Sequence, residues 1–178
     1  MTRLILNDQL YKDFILNAVP ETKKFLCIAT ADIKNMHFEQ GKRFVPFLKT
    51  LSDLVEQGRE ARLLHAKEPG PRFRKDFDRF PSLVKSDRFE RILCPRVHFK
   101  CIIIDGVRAY TGSANFTGAG MGAKNQNRRN FEAGVDTADP LIVRGLMDLF
   151  DDVFMGRYCA DCSYLNECPD PASRIQQV

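Results

Sequence analysis

The stretch HFKCIIIDGVRAYTGSAN, residues 98–115, contains the pattern that decides the fold of this chain. Apolar side chains recur at every second position over residues 97–103, which is the period of a β-strand whose successive residues face opposite sides of a sheet. In such a strand the side chains of His98 and Lys100 lie on the same face. The pattern therefore predicts that the imidazole of His98 and the ammonium group of Lys100 contact the same ligand.

A predicted β-hairpin brings a second polar cluster next to the first. Asp105-Gly106 is typical of a two-residue hairpin turn, and residues 108–111 have the pattern of the return strand. The run Gly112-Ser113-Ala114-Asn115 ends that strand with small residues, two of which form hydrogen bonds through their side chains. Pairing of the two strands places this run beside His98 and Lys100.

The same stretch resembles the signature of the phospholipase D superfamily, in which HxK is followed by four residues, an aspartate, six residues and GSxN. Every specified position is matched here, whereas a second HxK pair at His65 and Lys67 lacks the aspartate, the apolar strand and the GSxN. Asn130-Phe131-Glu132 resembles the downstream glutamate strand of the family, so the resemblance extends over residues 23–154. It implies a phospholipase D-like mixed β-sheet, flanked by helices on both faces.

The resemblance also implies roles in the cleavage of a phosphodiester, without a catalytic cofactor. His98 would attack phosphorus to form a phosphohistidine, Lys100 would neutralise the non-bridging oxygens, and Glu132 would hold the other imidazole nitrogen. The remaining catalytic candidates are two hydrogen-bond donors and the turn aspartate, namely Ser113, Asn115 and Asp105. Each of three residues also has a non-catalytic alternative. His98 would be a half-buried strand histidine hydrogen-bonded to a neighbour, Glu132 an exposed strand residue and Asp105 a structural residue of the turn.

The chain is long enough for one domain, with 178 residues, and it carries one copy of the motif. Larger family members build one active site from two copies, and a one-copy chain resembles the small bacterial endonucleases, which pair as homodimers. Chemistry gives a separate reason, because displacement by His98 needs a second group to protonate the leaving oxygen. Neither His37 nor His65 has a matching context. A two-fold axis through the active site would supply the partner's His98.

The charge distribution favours nucleic acid, DNA or RNA, over lipid. The net charge is +4, but residues 132–178 hold nine acidic and three basic residues, which leaves +10 on residues 1–131. A glycine-rich loop at residues 118–129 and the basic face of a Phe-rich segment at residues 72–80 are candidate phosphate contacts. These segments provide the predicted substrate-binding residues Lys124, Arg128, Arg129, Arg72, Lys75 and Arg79. The alternative is that neither segment contacts phosphate: residues 118–129 would be an ordinary mobile loop, and the basic face of residues 72–80 would only be solvated.

Helix and strand patterns alternate along the chain, which predicts a single α/β domain around a mixed sheet. The predicted helices lie at residues 8–19, 42–57, 72–80 and 139–154. The predicted strands lie at residues 24–30, 61–65, 91–94, 97–104, 108–111 and 131–135. We place the catalytic domain at residues 1–156 and a cysteine-containing tail at residues 157–178.

The tail contains Cys159, Cys162 and Cys168 in a CxxC-x5-C arrangement, which lets three thiolates converge on one metal. A structural zinc needs a fourth ligand, and an iron–sulfur cluster has the same requirement. The candidates for this ligand are Cys94, Cys27 and His65. The alternatives are three reduced thiols, or a redox disulfide between Cys159 and Cys162.

The sequence has no apolar stretch that would span a membrane, and its first residues are too polar for a signal peptide. We therefore expect a cytoplasmic protein without a membrane partner, whose cysteines are reduced or bound to metal. The leading hypothesis is a homodimeric, metal-independent endonuclease that acts on DNA or RNA. The alternatives are a phospholipid hydrolase or phosphatidyltransferase, and a nucleic-acid-binding assembly module that acts through its cysteine tail in a larger complex.

Overall fold

A seven-stranded mixed β-sheet forms the centre of the protein in a computed structural model that describes residues 1–34, 36–40 and 43–170. The strands of this sheet are β1 (Thr2–Leu6), β2 (Phe25–Thr30), β5 (Glu60–His65), β6 (Phe89–Leu93), β7 (Cys101–Ile104), β8 (Arg108–Gly112) and β9 (Ala133–Thr137). Their order is β1-β9-β8-β7-β2-β5-β6. The β2, β5 and β6 strands run parallel to one another, and the other neighbours are antiparallel. The predicted mixed sheet is confirmed.

Helices cover both faces of the sheet, as predicted. They comprise a π-helix (Leu10–Ala18), α1 (Phe47–Glu56), α2 (Pro71–Phe77), α3 (Pro81–Lys85) and α4 (Pro140–Phe154). One core cluster packs Phe14 of the π-helix and Leu51 of α1 against the sheet, and a second packs Phe150 of α4 against the other face. All four residues of β7 are buried between these layers, which explains the continuous apolar run Cys-Ile-Ile-Ile.

The predicted helix at residues 42–57 is too long at its beginning. Residues Arg43–Pro46 form strand β4, which pairs with β3 (His37–Gln40), and α1 begins at Phe47. Pro46 explains the boundary, because a proline disfavours helical backbone in the residue before it. The predicted start, Lys42, lies outside the described residues.

Other boundaries also differ from the sequence prediction, among them the strand predicted at residues 91–94, which is observed at Phe89–Leu93. The Phe-rich helix ends at Phe77 because Phe80 is extended before Pro81, where α3 begins. The predicted strand at 131–135 is shifted to Ala133–Thr137, and the strand at 97–104 forms its ladder only over Cys101–Ile104. The edge strand β1 was not predicted. Its extended conformation depends on pairing with β9, and Ile5 is its one buried residue, so it shows no alternating apolar pattern.

The carboxyl-terminal helix agrees with its prediction. Asp139 accepts hydrogen bonds from the backbone N–H of Leu141 at 2.9 Å and of Ile142 at 3.5 Å, and Pro140 occupies the first helical position. None of the helices in the described part of the chain is long and apolar enough to cross a membrane.

Candidate active site

His98 and Lys100 lie in the extended segment immediately before β7, and their side chains are brought together. The Nζ atom of Lys100 lies 3.4 Å from Nε2 of His98 and donates a hydrogen bond to the backbone oxygen of His98 at 2.7 Å. The imidazole is exposed, whereas Lys100 is only 9% exposed. A buried lysine is therefore held directly behind an imidazole that solvent and ligands reach.

The β7–β8 hairpin places the Gly112-Ser113-Ala114-Asn115 run beside this pair. Asp105 and Gly106 both have positive φ angles, 55° and 67°, as a type I′ turn requires, and Val107 N–H donates to the oxygen of Ile104 at 3.0 Å. At the other end of the hairpin, Thr111 Oγ1 and the N–H of Gly112 both donate to the backbone oxygen of Lys100. The predicted hairpin is confirmed, and it ties the end of β8 to Lys100.

Gly112 allows β8 and β9 to approach closely at this point. A Cβ atom on Gly112 would lie 2.5 Å from the oxygen of Ala133 and 2.6 Å from Cα of Gly134, so no other residue fits without a shift of the backbone. The close approach sets Ser113 against the start of β9, where Ser113 Oγ accepts a hydrogen bond from Ala133 N–H at 3.1 Å.

Glu132 contacts the serine of the motif and not the histidine. Its carboxylate accepts one hydrogen bond from Ser113 Oγ and another from Asn130 Nδ2 at 3.0 Å. No hydrogen bond between Glu132 and His98 is formed within the part of the chain that the structure describes. The predicted contact with the imidazole is thus replaced by one with Ser113, because Glu132 precedes β9 and faces the end of β8.

Asn115 connects the motif to the end of β2. Its Oδ1 atom accepts hydrogen bonds from the N–H of Asp32 at 3.2 Å and from Thr30 Oγ1 at 3.5 Å. Thr30 also accepts the N–H of Phe116 at 2.9 Å, so the backbone on both sides is held. The amide oxygen is therefore used for positioning, and the amide nitrogen is the end of the side chain that is left to donate to a ligand.

Asp105 has a structural position at the opposite end of β7 from the histidine. Its carboxylate accepts the backbone N–H groups of Lys23 at 2.9 Å, Lys24 at 2.7 Å and Phe25 at 3.0 Å. Partial burial alone would raise the pKa of Asp105, but the three N–H groups outweigh it and hold that pKa below its ordinary value. The carboxylate of Asp105 thus joins the hairpin turn to β2, and a structural role for it is the prediction that this geometry favours.

A cleft of about 910 Å³ is lined by Asp32 and Thr117, whose backbone N–H groups both donate to Asn115. Four cationic side chains line it, namely Lys34, Lys67, Arg72 and Lys124. Two of these, Arg72 and Lys124, are predicted substrate contacts that come from distant parts of the sequence. The sequence did not predict that Lys34 and Lys67 line the cleft. The position of Lys67 in the second HxK pair was the one feature that drew attention to it.

The other predicted substrate contacts do not line this cleft. Arg129 forms an ion pair with Asp8 at 2.8 Å, and hydrogen bonds from Lys12 and then Arg129 lower the pKa of Asp8 to about 2. Arg79 pairs with Asp76 at 3.3 Å. Lys75 and Arg128 are exposed, on α2 and on a 3₁₀ turn at Gln126–Arg128.

The second HxK pair is not part of this site. His65 is fully buried, its Nδ1 atom lies 2.8 Å from the backbone oxygen of Lys67, and burial lowers its pKa. Among the described residues, its Nε2 atom has no hydrogen-bond partner. An imidazole enclosed in this way cannot reach a phosphodiester in solvent.

Residues 18–154 match the model of a family described as "Cardiolipin synthase, PLD-like domain". The chain belongs to this phospholipase D-like family. The matched residues include both strands of the hairpin, the whole HxK and GSxN motif, and Glu132. The resemblance drawn from the motif is therefore confirmed for most of the chain. A comparison with curated protein sequences finds no match.

Several solved structures have the same fold at low sequence identity. NucT from Helicobacter pylori is 11% identical with a TM-score of 0.60, over 86% of this chain and 95% of NucT. Nuc from Salmonella typhimurium, a phospholipase D family member, is 17% identical with a TM-score of 0.56, over 85% of this chain and 93% of Nuc. Phosphatidylserine synthase from Haemophilus influenzae is 14% identical with a TM-score of 0.58, over 99% of this chain but 44% of the synthase.

Proposed function

We propose that this protein is a metal-independent phosphodiesterase that cleaves DNA or RNA through a phosphohistidine intermediate. The observation that carries the proposal is the 3.4 Å separation between Nζ of Lys100 and Nε2 of His98 at an exposed surface. A nucleophilic nitrogen and a fixed positive charge at this spacing suit phosphorus and its non-bridging oxygen. Because these side chains supply both the nucleophile and the charge neutralisation, the step needs no metal ion.

The proposed reaction has two balanced steps. Nε2 of His98 forms a bond to phosphorus as the bond from phosphorus to the leaving oxygen breaks, and that oxygen takes a proton from the partner's His98. Water then attacks the phosphorus, its proton passes to the partner's His98, and the phosphorus–nitrogen bond breaks. The amide nitrogen of Asn115 is the group best placed to donate to the phosphate, since its oxygen is held by Asp32.

A homodimer is proposed because one chain offers no second histidine in a comparable position. His65 is enclosed, and His37 lies on β3 at the cleft, in no hydrogen bond with His98 within the described residues. A two-fold axis at the exposed imidazole of His98 would bring together two such groups, one neutral and one protonated. Glu132 accepts a hydrogen bond from Ser113 and would orient this serine toward the same phosphate.

Nucleic acid is the proposed substrate because positive charge collects on the catalytic part of the chain. Residues 1–131 have a net charge of +10, whereas residues 132–178 have −6. The cleft adds four cations close to Asn115, against the two carboxylates Asp32 and Glu68 in its lining. A repeating phosphate backbone is the ligand whose charge matches an extended cationic surface of this kind.

The test uses labelled single-stranded DNA, duplex DNA and RNA in the presence of EDTA. We expect cleavage by the wild type, and a loss of at least about 10³-fold in His98→Ala and Lys100→Ala, which remove the nucleophile and the charge neutralisation. The matched control is Lys85→Ala, because Lys85 is an exposed lysine on α3 outside the site. Cleavage of every polymer by Lys100→Ala at the wild-type rate would contradict the mechanism.

Mixed dimers test the shared site separately. Addition of a large excess of His98→Ala protein should inhibit the wild type, because each mixed dimer retains one imidazole of the two. If excess His98→Ala has no effect after subunit exchange, or if the active species sediments as a monomer, the dimeric mechanism is wrong.

A lipid phosphodiester is the second candidate, favoured by the similarity in fold to a phosphatidylserine synthase and by the name of the matched family. His98 and Lys100 could cleave a lipid in the same way, because in this mechanism they contact the phosphodiester and not the groups attached to it. Vesicles of phosphatidylglycerol replace the polymers in the assay. Turnover of lipid alone, lost in His98→Ala, would establish this candidate. Tight binding of nucleic acid without turnover of either class would favour the assembly-module hypothesis.

A further inference from the structure

The tail after α4 has a defined path but little to hold it. Residues 157–170 form turns without a helix or strand. Every third residue from position 159 is half-buried, namely Cys159, Cys162, Leu165 and Cys168. The remaining residues of this segment are exposed. One leucine buries too little apolar surface to offset the conformational entropy of such a segment. Small irregular segments of this kind are ordered by disulfides or metals, and all cysteines here are free thiols.

The tail contacts the chain on both sides of Cys94, in the turn after β6. The thiol of Cys168 lies 3.7 Å from the backbone oxygen of Leu93, and the N–H of Leu93 donates to Asp170 at 2.9 Å. The guanidinium of Arg96 lies 3.7 Å from the sulfur of Cys162. Cys94 stands between these contact points, so it is the cysteine of the domain that faces the tail.

The four sulfurs influence one another electrostatically. Burial raises the pKa of Cys94, and charge on Cys159 and Cys162 raises it further. The pKa of Cys168 is raised by burial and then by charge on Cys94 and Cys159. Because such effects fall off with distance, Cys94 lies near the sulfurs of all three tail cysteines. Cys27 and Cys101 interact with each other instead, inside the sheet.

We infer that Cys94, Cys159, Cys162 and Cys168 bind one metal centre, which fastens the tail to the domain. Four thiolates suit Zn²⁺ or an iron–sulfur cluster, and the chemistry they share is coordination of a soft metal by sulfur. Over the described residues no three His, Cys, Asp or Glu side chains already have the geometry to hold an ion. Each cysteine has one side-chain torsion angle, χ1, about which its sulfur can turn toward a metal ion.

The structure also selects the fourth ligand from the three candidates. Cys27 is buried in β2 opposite Ile103, and Nδ1 of His65 already lies 2.8 Å from the backbone oxygen of Lys67. Cys94 is the candidate whose neighbours in sequence contact the tail. Its backbone oxygen accepts the N–H of Val97 at 3.0 Å, immediately before His98. The metal centre would therefore fix the turn from which the proposed nucleophile projects.

The experiment measures metal content in full-length protein purified without oxygen and chelators. We expect about one zinc per chain, or about four iron atoms with absorbance near 400 nm, and these results distinguish the two metals. Cys94→Ser and Cys168→Ser should lose most of the metal, and the matched control Cys27→Ala should keep it. Trypsin should cut after Arg157 faster in both ligand variants than in the control. Circular dichroism verifies the fold, and Cys168→Ser retains the test if Cys94→Ser unfolds.

Three results would overturn the inference. The first is a wild-type protein that binds neither metal, as purified or after reconstitution with zinc or with iron and sulfide. The second is a Cys94→Ser variant that keeps the full metal content. The third is a Cys159–Cys162 disulfide found by thiol counting in the protein purified without oxygen. None of these readouts measures turnover, so the inference fails or holds independently of the proposed reaction.

Discussion

Replacement of Asp105 separates a structural from a catalytic role for the aspartate of the motif. Its carboxylate accepts three backbone N–H groups at 2.7–3.0 Å, and its φ is 55°. Asp105→Gly tolerates that φ and removes only the acceptor. Water partly reaches this turn, so the loss of each hydrogen bond should lower the free energy of unfolding by about 1 kcal/mol, near the lower end for a donor left without its acceptor. Loss of all three should lower it by about 3 kcal/mol.

Asp105→Asn should cost less, because one oxygen remains. That oxygen can still accept the N–H groups of Lys24 and Phe25, whereas the amide nitrogen faces the N–H of Lys23 and cannot accept it. We expect a loss of about 1.5 kcal/mol in the free energy of unfolding. For a chain of this length, the midpoint of thermal unfolding should fall by about 3–6 °C in Asp105→Asn and about 6–12 °C in Asp105→Gly.

The assay combines thermal unfolding by circular dichroism with turnover measured well below the lowest midpoint. Both variants should retain a kcat within about twofold of the wild type, because the carboxylate contacts no reacting atom. The pKa of Asp105 is below its ordinary value in the folded protein, so its contribution is present at neutral pH and is lost as the pH falls through that lowered pKa. The difference in midpoint between wild type and Asp105→Asn should therefore shrink from pH 7 to pH 3. An Asp105→Asn protein with unchanged stability and a kcat reduced about 100-fold would refute the structural assignment.

Further predictions concern packing and charge. Gly112→Ala should destabilise the protein by several °C and weaken turnover, because its Cβ would lie 2.5 Å from the oxygen of Ala133. Gly145→Ala is the matched control: a Cβ there meets nothing within 4 Å, so it should stabilise α4 by about 0.5–1 kcal/mol, and equal effects of the two changes on the melting temperature would contradict the packing argument. Hydrogen bonds from Lys12 and Arg129 lower the pKa of Asp8 to about 2, so its contribution is present above its ordinary pKa and is lost as the pH falls toward 2. Urea titrations should show less loss of stability between pH 5 and pH 2 for Asp8→Asn than for wild type, and parallel losses would exclude this role of Asp8.

The sequence is most informative where one local pattern determines one geometry. Positive φ angles at Asp105 and Gly106 are the conformation that an Asp-Gly hairpin needs, and Asp139-Pro140 begins α4 where a cap and a proline predict it. Boundaries set by tertiary pairing are less accessible to prediction. The β1 strand depends on β9, and the β3–β4 hairpin replaces the first part of a predicted helix.

The sequence by itself determined the family, the mixed sheet and the pairing of His98 with Lys100, because a motif within 18 residues forms one hairpin. Only the tertiary structure decided the hydrogen-bond partner of Glu132, the backbone groups that Asp105 contacts and the proximity of Cys94 to the tail. Each of these is a contact between residues far apart in the chain: Asp105 meets Lys24 81 positions away, and Cys168 meets Leu93 75 positions away. The physical reason is that local sequence specifies backbone conformation, whereas contacts across the sheet depend on which strands become neighbours when the whole core packs.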